Sequence, residues 1–317
     1  MFATINGTEI FFDVVGEQLD ASTPQLNERE TIICLHGGLG FDHGYLRQGL
    51  DPLAVNYNLI YVDLRGQGLS AKVPLETITL EQIADDIRAL IEVIGLERAI
   101  IFGHSAGGFV AQIIAINHPQ VVKGLILCNT SSGKAFSPSE TLKENVPMLE
   151  DRAPKEVVQL AHDLFSGAKN FTLSPKKNCE WMGRTIDYDE MSYLRQEFFR
   201  KVGPYYMAPN HMDKFQKVMS FTRRSPEVMD HFVHIILPHY DIHEFIYDIV
   251  APTLIISGAY DWVCTPAASD YISSQIPLSV HICFEDSGHL PFIEEPQVFI
   301  RMVKSFIDKL IHPKDEI

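Results

Sequence analysis

The chain has 317 residues, 46% hydrophobic and 21% charged, with a formal net charge of -15. That is the balance of a soluble globular protein able to bury a sizeable core, and its length suggests one core carrying a large insertion. Such negative charge argues against nucleic acid or an anionic membrane surface as partner, and no apolar run is long enough to span a bilayer.

The N-terminus lacks a basic segment followed by an apolar stretch, so no secretory signal is expected. The five cysteines, Cys34, Cys128, Cys179, Cys264 and Cys283, form no CxxC and leave an odd one over. A cytoplasmic, reduced protein without metal or cofactor is the reading, with a small molecule as its partner.

Asn6-Gly7 separates two β-type runs, Phe2 to Ile5 and Glu9 to Val15, as in a hairpin. Residues 16–30 read as a polar, irregular loop. Thr31 to Leu35 is a buried-type strand feeding His36-Gly37-Gly38-Leu39-Gly40, and Asn58 to Val62 is another feeding Asp63-Leu64-Arg65-Gly66-Gln67-Gly68-Leu69-Ser70. Leu80, Ile83, Ile87, Leu90 or Ile91, and Ile94 make one apolar helical stripe, with Thr79 and Gln82 as a capping box and Gly95 as its stop. Alternation of such strands and helices predicts a mostly parallel sheet covered on both faces.

An apolar run, Arg98 to Phe102, then stops at Gly103-His104-Ser105-Ala106-Gly107-Gly108, and a helical pattern restarts at Phe109. Strand, GxSxG turn and helix match a nucleophile elbow, which lifts a serine hydroxyl over the carboxyl edge of a sheet. Val121 to Cys128 is the next strand. Residues 131–245 change character: helical segments near Lys155 to Phe165, Asp189 to Val202 and Pro226 to Leu237, no continuous β-type run, and seven of the nine methionines. This stretch reads as an inserted helical cap, with residues 1–130 and 246–317 as the core domain. Pro252 to Asp261 is a strand whose turn ends in a carboxylate; Val280 to Phe284 is a strand followed by Ser287-Gly288-His289; Glu295 to Leu310 is a closing amphipathic helix.

Serine, aspartate and histidine, in that order and each just beyond a strand, resemble the α/β-hydrolase family; the glycine loop at 36–40 and the D-x-R-G-x-G-x-S loop at 63–70 resemble two more of its motifs. The resemblance implies the α/β-hydrolase fold, with Ser105 as nucleophile, His289 as general base and then acid, and Asp261 orienting the imidazole. Asp241, Asp248, Glu285 and Asp286 are the rival acids. The backbone N–H groups of Gly38 and Ala106 would receive the oxyanion. His36 and His104 flank the site without helix-spaced metal-ligand partners and are read as structural.

HGG with an extended cap is most similar to the proline iminopeptidase group, although Leu39 stands where that group has proline and Ala106 where it has an aromatic. Such an enzyme needs carboxylates for the substrate ammonium, for which Glu190, Glu197 and Glu244 are candidates. Trp262, Tyr205 and Tyr206 are further substrate-binding candidates. A carboxylester or lactone hydrolase with an apolar acyl pocket fits these departures better. Dehalogenases and epoxide hydrolases carry an aspartate where Ser105 stands and are rejected. Cofactor-free lyase or oxygenase chemistry, and a ligand receptor on a hydrolase scaffold, remain as other classes.

Overall fold

A computed structural model describes residues 1–20, 27–133, 149–166, 178–181, 184–187 and 197–311. Strands β1 (Phe2–Ile5) and β2 (Thr8–Val15) form the N-terminal hairpin, turning through Asn6 and Gly7, both at positive φ. The next loop is less irregular than its polarity suggested, since Leu19–Asp20 (β3) and Asn27–Glu28 (β4) pair across it. Then come β5 (Thr31–Leu35), α1 (Gly44–Leu50), β6 (Asn58–Val62), α2 (Leu80–Val93), β7 (Ala99–His104), α3 (Ala106–Asn117) and β8 (Val122–Cys128). Further along the chain follow β11 (Thr253–Gly258), β12 (Ser279–Phe284) and the closing helix Pro296–Ile311.

The eight-stranded sheet runs β1-β2-β6-β5-β7-β8-β11-β12; β1/β2 and β2/β6 pair antiparallel and the other neighbours parallel. Both faces are covered, which is why β5 and β7 read as unbroken apolar runs: every residue of each is buried. Alternate residues serve opposite faces. Ile33, Leu35 and Ile101 pack with α2 and α3, whereas Ile32, Cys34, Ile100 and Phe102 pack with α1 and the closing helix. Burial of each such side chain contributes about 1.5–3 kcal/mol. Thr79 caps α2, its hydroxyl accepting from Gln82 N–H at 3.1 Å, but the Gln82 side chain turns to Asp86 instead of closing the capping box.

Between β8 and β11 the described residues are largely helical: α4 (Lys155–Ser166), α5 (Lys214–Met219) and α6 (Pro226–His231), which runs into a wide π turn over Phe232–Ile236. The expectation of no strand there is corrected by an antiparallel pair, β9 (Asn178–Trp181) and β10 (Arg184–Asp187). These strands are four residues long, too short for period-two alternation to stand out. Leu149, Val157, Val158, Ala161, Phe198 and Val202 form a satellite core closed by Trp262 from the loop after β11. Helices α7 (Pro266–Gln275), α8 (Pro291–Glu294) and α9, the closing Pro296–Ile311, complete the chain. No helix among the described residues is long and apolar enough to cross a membrane.

Candidate active site

Ser105 occupies the single residue between β7 and α3, with φ 53° and ψ -121°. A non-glycine residue rarely adopts that conformation, and it persists here because both sides of the turn are pinned. Ser105 N–H donates to Cys128 O at 3.0 Å, and Ser105 O accepts from Thr130 Oγ1 and Gly108 N–H, both at 2.8 Å. The flanking glycines are required by close approach: a Cβ on Gly103 would strike Gly107 O, and one on Gly107 would strike the Leu35 and His36 carbonyls.

Asp261 is fully buried in the turn beyond β11. Its Oδ1 accepts from Val263 N–H at 2.9 Å and Cys264 N–H at 3.0 Å; its Oδ2 accepts from His289 Nδ1 at 2.7 Å and Asn129 Nδ2 at 2.8 Å. Four donors thus compensate a carboxylate taken out of water. Asn129, one residue beyond β8 at φ 48°, also donates from Nδ2 to Gly288 O at 3.0 Å, tying the loops of the acid and the imidazole together.

A second chain of hydrogen bonds crosses beneath the serine. His104 Nε2 meets His289 O at 2.8 Å, so that nitrogen carries the proton; Nδ1 therefore accepts from Tyr45 Oη at 2.7 Å, and Tyr45 Oη accepts from Gly37 N–H at 2.6 Å. Burial, and next the neighbouring His289, pushes the His104 imidazole well below its ordinary range, so it is a neutral link. His36 is likewise lowered by burial; its Nε2 accepts from Leu64 N–H at 3.3 Å and its Nδ1 meets Gly37 O at 3.1 Å. The 63–70 loop is scaffold: Asp63 takes His43 Nδ1 at 2.7 Å and Leu69 N–H at 2.8 Å, and Gln67 Oε1 takes Gly40 N–H at 2.5 Å.

Ser105, Ala106, His289, Gly38, Tyr206 and Cys264 all face one cavity of about 210 Å³, otherwise walled mainly by aromatic and aliphatic side chains such as Phe41, Phe109, Phe199 and Met219. Among the described residues that line it, the carboxylate is Asp230, on α6. Cys264 interacts with the Ser105 hydroxyl, yet burial, and then the Asp261 charge, pushes its thiol well above the usual range, so it is no rival nucleophile.

Of the other substrate candidates, the described ones do not line this cavity. Trp262 is buried in the satellite core and donates from Nε1 to Tyr205 O at 3.0 Å, and Tyr205 joins that core. Glu197 pairs with Arg200 at 2.8 Å and Lys201 at 3.1 Å, and their hydrogen bonds hold its carboxyl down at about 2. Glu244 is exposed, and Glu190 lies outside the described residues. Of the rival acids, Asp286 and Glu285 are exposed, and Asp241 engages His243 at 2.6 Å.

Sequence reasoning missed Asn129, Tyr45 and Cys264. Only Asn129 carried a signal, its place at the carboxyl end of a core strand.

The alpha/beta hydrolase fold family model matches residues 30–296. A proline iminopeptidase of Pestalotiopsis fici is 26% identical, covering 97% of this chain and 99% of its own. The crystal structure of a proline iminopeptidase from Mycobacterium smegmatis superposes with a TM-score of 0.71 at 20% identity, covering 99% of each chain. That of a thermophilic esterase from Thermogutta terrifontis gives 0.65 at 21% identity, covering 98% of each.

Proposed function

The chain belongs to the alpha/beta hydrolase fold family and is a hydrolase; from that premise we propose that it cleaves a small ester, lactone or amide with an apolar acyl group through a Ser105–His289–Asp261 acyl-enzyme mechanism. The observation that carries this reading is His289, bonded to the buried Asp261, facing the same apolar cavity as Ser105 at its strained elbow. Asp261 holds the Nδ1–H tautomer, which leaves His289 Nε2 to take the Ser105 proton as the hydroxyl attacks the carbonyl. The tetrahedral oxyanion receives the Ala106 N–H at the start of α3 and the Gly38 N–H; the Gly37 N–H is already committed to Tyr45. His289 then protonates the leaving group. Water attacks the acyl-enzyme with the same imidazole as base.

A fluorophosphonate probe tests the nucleophile: labelling of the wild type and none of Ser105→Ala is expected, and an unlabelled, folded wild type refutes it. A panel of p-nitrophenyl esters, lactones and proline anilide then fixes the substrate class.

A second reading, a proline iminopeptidase, is favoured by the relatives and by Asp230 in the cavity wall. Among the described residues Asp230 is the one carboxylate on that wall, a sparse site for a substrate ammonium, which must be paired when buried. Proline anilide turnover above that of the esters would reverse the order of the two readings. Ligand binding without turnover would favour a receptor.

A further inference from the structure

We infer that Glu294 and Arg152 are positioning residues: together they staple the loops carrying His289 and Asp261 to residues 205–208 of the insertion, so that the wall of the acyl cavity and the general base move as one body. The inference rests on His289 acting as the base proposed above.

Glu294 is only 4% exposed. Its Oε1 accepts from the N–H groups of Gly288 and Leu290, each at 3.0 Å, and its Oε2 from Gly288 N–H at 2.9 Å and Ala208 N–H at 2.7 Å. One carboxylate therefore grips the backbone on both sides of His289 and the insertion as well. The N–H of His289 itself goes to Tyr206 O at 2.6 Å. Arg152 ties the same insertion segment to the acid's loop: Nη2 donates to Tyr205 O and Met207 O, each at 2.9 Å, and Nη1 donates to Tyr260 O, next to Asp261, at 3.0 Å.

Hydrogen bonds to a charged acceptor or from a charged donor are roughly twice as strong as neutral ones, which suits both residues to fixing backbone. Tyr206 lies at the centre of this staple and faces the cavity. An acyl group seated against Tyr206 therefore bears on the segment that sets the height of the imidazole. Displacing a catalytic group by about 1 Å can cost about 10²-fold in rate.

The test compares Glu294→Gln, Glu294→Asp, Arg152→Lys and the double variant Glu294→Gln/Arg152→Lys with wild type. It reads kcat and KM on a p-nitrophenyl ester, the rate of fluorophosphonate labelling and the thermal unfolding midpoint. Glutamine keeps one acceptor oxygen and turns an NH₂ toward the other donors, so either Leu290 or Ala208 loses its acceptor. A folded Glu294→Gln should lose about 10- to 100-fold in kcat with KM within about threefold, and label more slowly by a similar factor. Arg152→Lys should lose about 3- to 10-fold, and the double variant less than the product of the two, because both act on one segment. Should Glu294→Gln fail to fold, Glu294→Asp, which keeps the charge and shortens the reach, carries the same expectation. A folded variant with kcat within twofold of wild type, or a loss confined to KM, overturns the positioning role. Strictly multiplicative effects overturn the shared staple. A labelled wild type with unaffected variants sinks this inference alone, whereas an unlabelled wild type sinks the serine-hydrolase reading with it.

Discussion

Replacing Asp261 by asparagine separates charge and acceptor count from shape. The carboxylate meets four donors with two oxygens, Val263 and Cys264 N–H on Oδ1, and His289 Nδ1 and Asn129 Nδ2 on Oδ2. An amide has one oxygen. If that oxygen stays with the two backbone N–H groups, the NH₂ faces His289, whose Nδ1 must become an acceptor; the ring proton then moves to Nε2 and the imidazole can no longer take the serine proton. If it turns to His289 instead, two buried backbone donors are orphaned at about 1–3 kcal/mol each. Asn129 can adapt, because its Nδ2 also holds Gly288 O, so the first orientation costs less. The expected result is a folded protein whose kcat has fallen about 10³- to 10⁴-fold, equivalent to about 4–5.5 kcal/mol of lost transition-state stabilisation. Thermal unfolding checks the fold and initial rates on a p-nitrophenyl ester read the loss. A folded Asp261→Asn keeping more than about a tenth of wild-type kcat would refute the assignment of roles around His289.

Removing the buried ion pair of Arg65 with Asp86, joined at 2.7 and 2.9 Å, by Asp86→Ala should destabilise the fold by about 3–5 kcal/mol; urea unfolding measures it, and a shift under 1 kcal/mol would show that water or another anion replaces the partner. His36 and His104 are both held below the ordinary imidazole range by burial, so the unfolded chain takes up protons that the folded chain refuses. Stability must therefore fall as pH drops below about 6.5, by at most about 1.4 kcal/mol per pH unit for each ring, and denaturant midpoints between pH 7.5 and 5.5 should be less pH-dependent in His104→Gln. Phe199→Ala enlarges the cavity and should shift preference toward longer acyl chains by about fourfold per methylene, as expected from about 0.8 kcal/mol; an unchanged chain-length profile would place the acyl group elsewhere. Ser257→Ala should keep fluorophosphonate labelling and ester turnover within about twofold of wild type, because its hydroxyl is sealed from substrate.

What could be read from residues alone was whatever local periodicity or steric need dictates. The strands at 31–35, 58–62 and 253–258 are legible because each is buried on both faces, and the elbow because only glycine tolerates the approach of α3 to β5 at position 107. Of the acyl-cavity aromatics, Tyr206 was among the candidates and the others were not legible. Phe41, Phe109 and Phe215 reach the cavity from a loop, from α3 and from α5, and no spacing connects such positions. Trp262 and Tyr205 show the same limit: aromatic side chains beside the Asp261 turn serve packing as readily as binding, and these two pack in the satellite core. Glu294 was invisible because its partners are backbone N–H groups, which every sequence contains.

The molecule also contains a control for how much residue type and distance prove. Ser257 Oγ lies 2.8 Å from His281 Nε2, and His281 Nδ1 lies 2.8 Å from Asp270 Oδ1, the same order of groups proposed for residues 105, 289 and 261. Yet Ser257 sits inside β11, paired in register with Cys283 of β12 and without exposed surface, and Asp270 is largely exposed. Nothing there lifts the hydroxyl from its strand, no helix begins beside it to supply N–H donors, and solvent screens the acid. What separates the two rows is therefore not the three side chains. It is the backbone around the first of them: an elbow at φ 53°, an α3 N-terminus directly behind it, and a cavity in front. A serine, a histidine and an aspartate within hydrogen-bond reach are thus far from sufficient for this chemistry, and the proposal for Ser105 rests on what the fold leaves open around it.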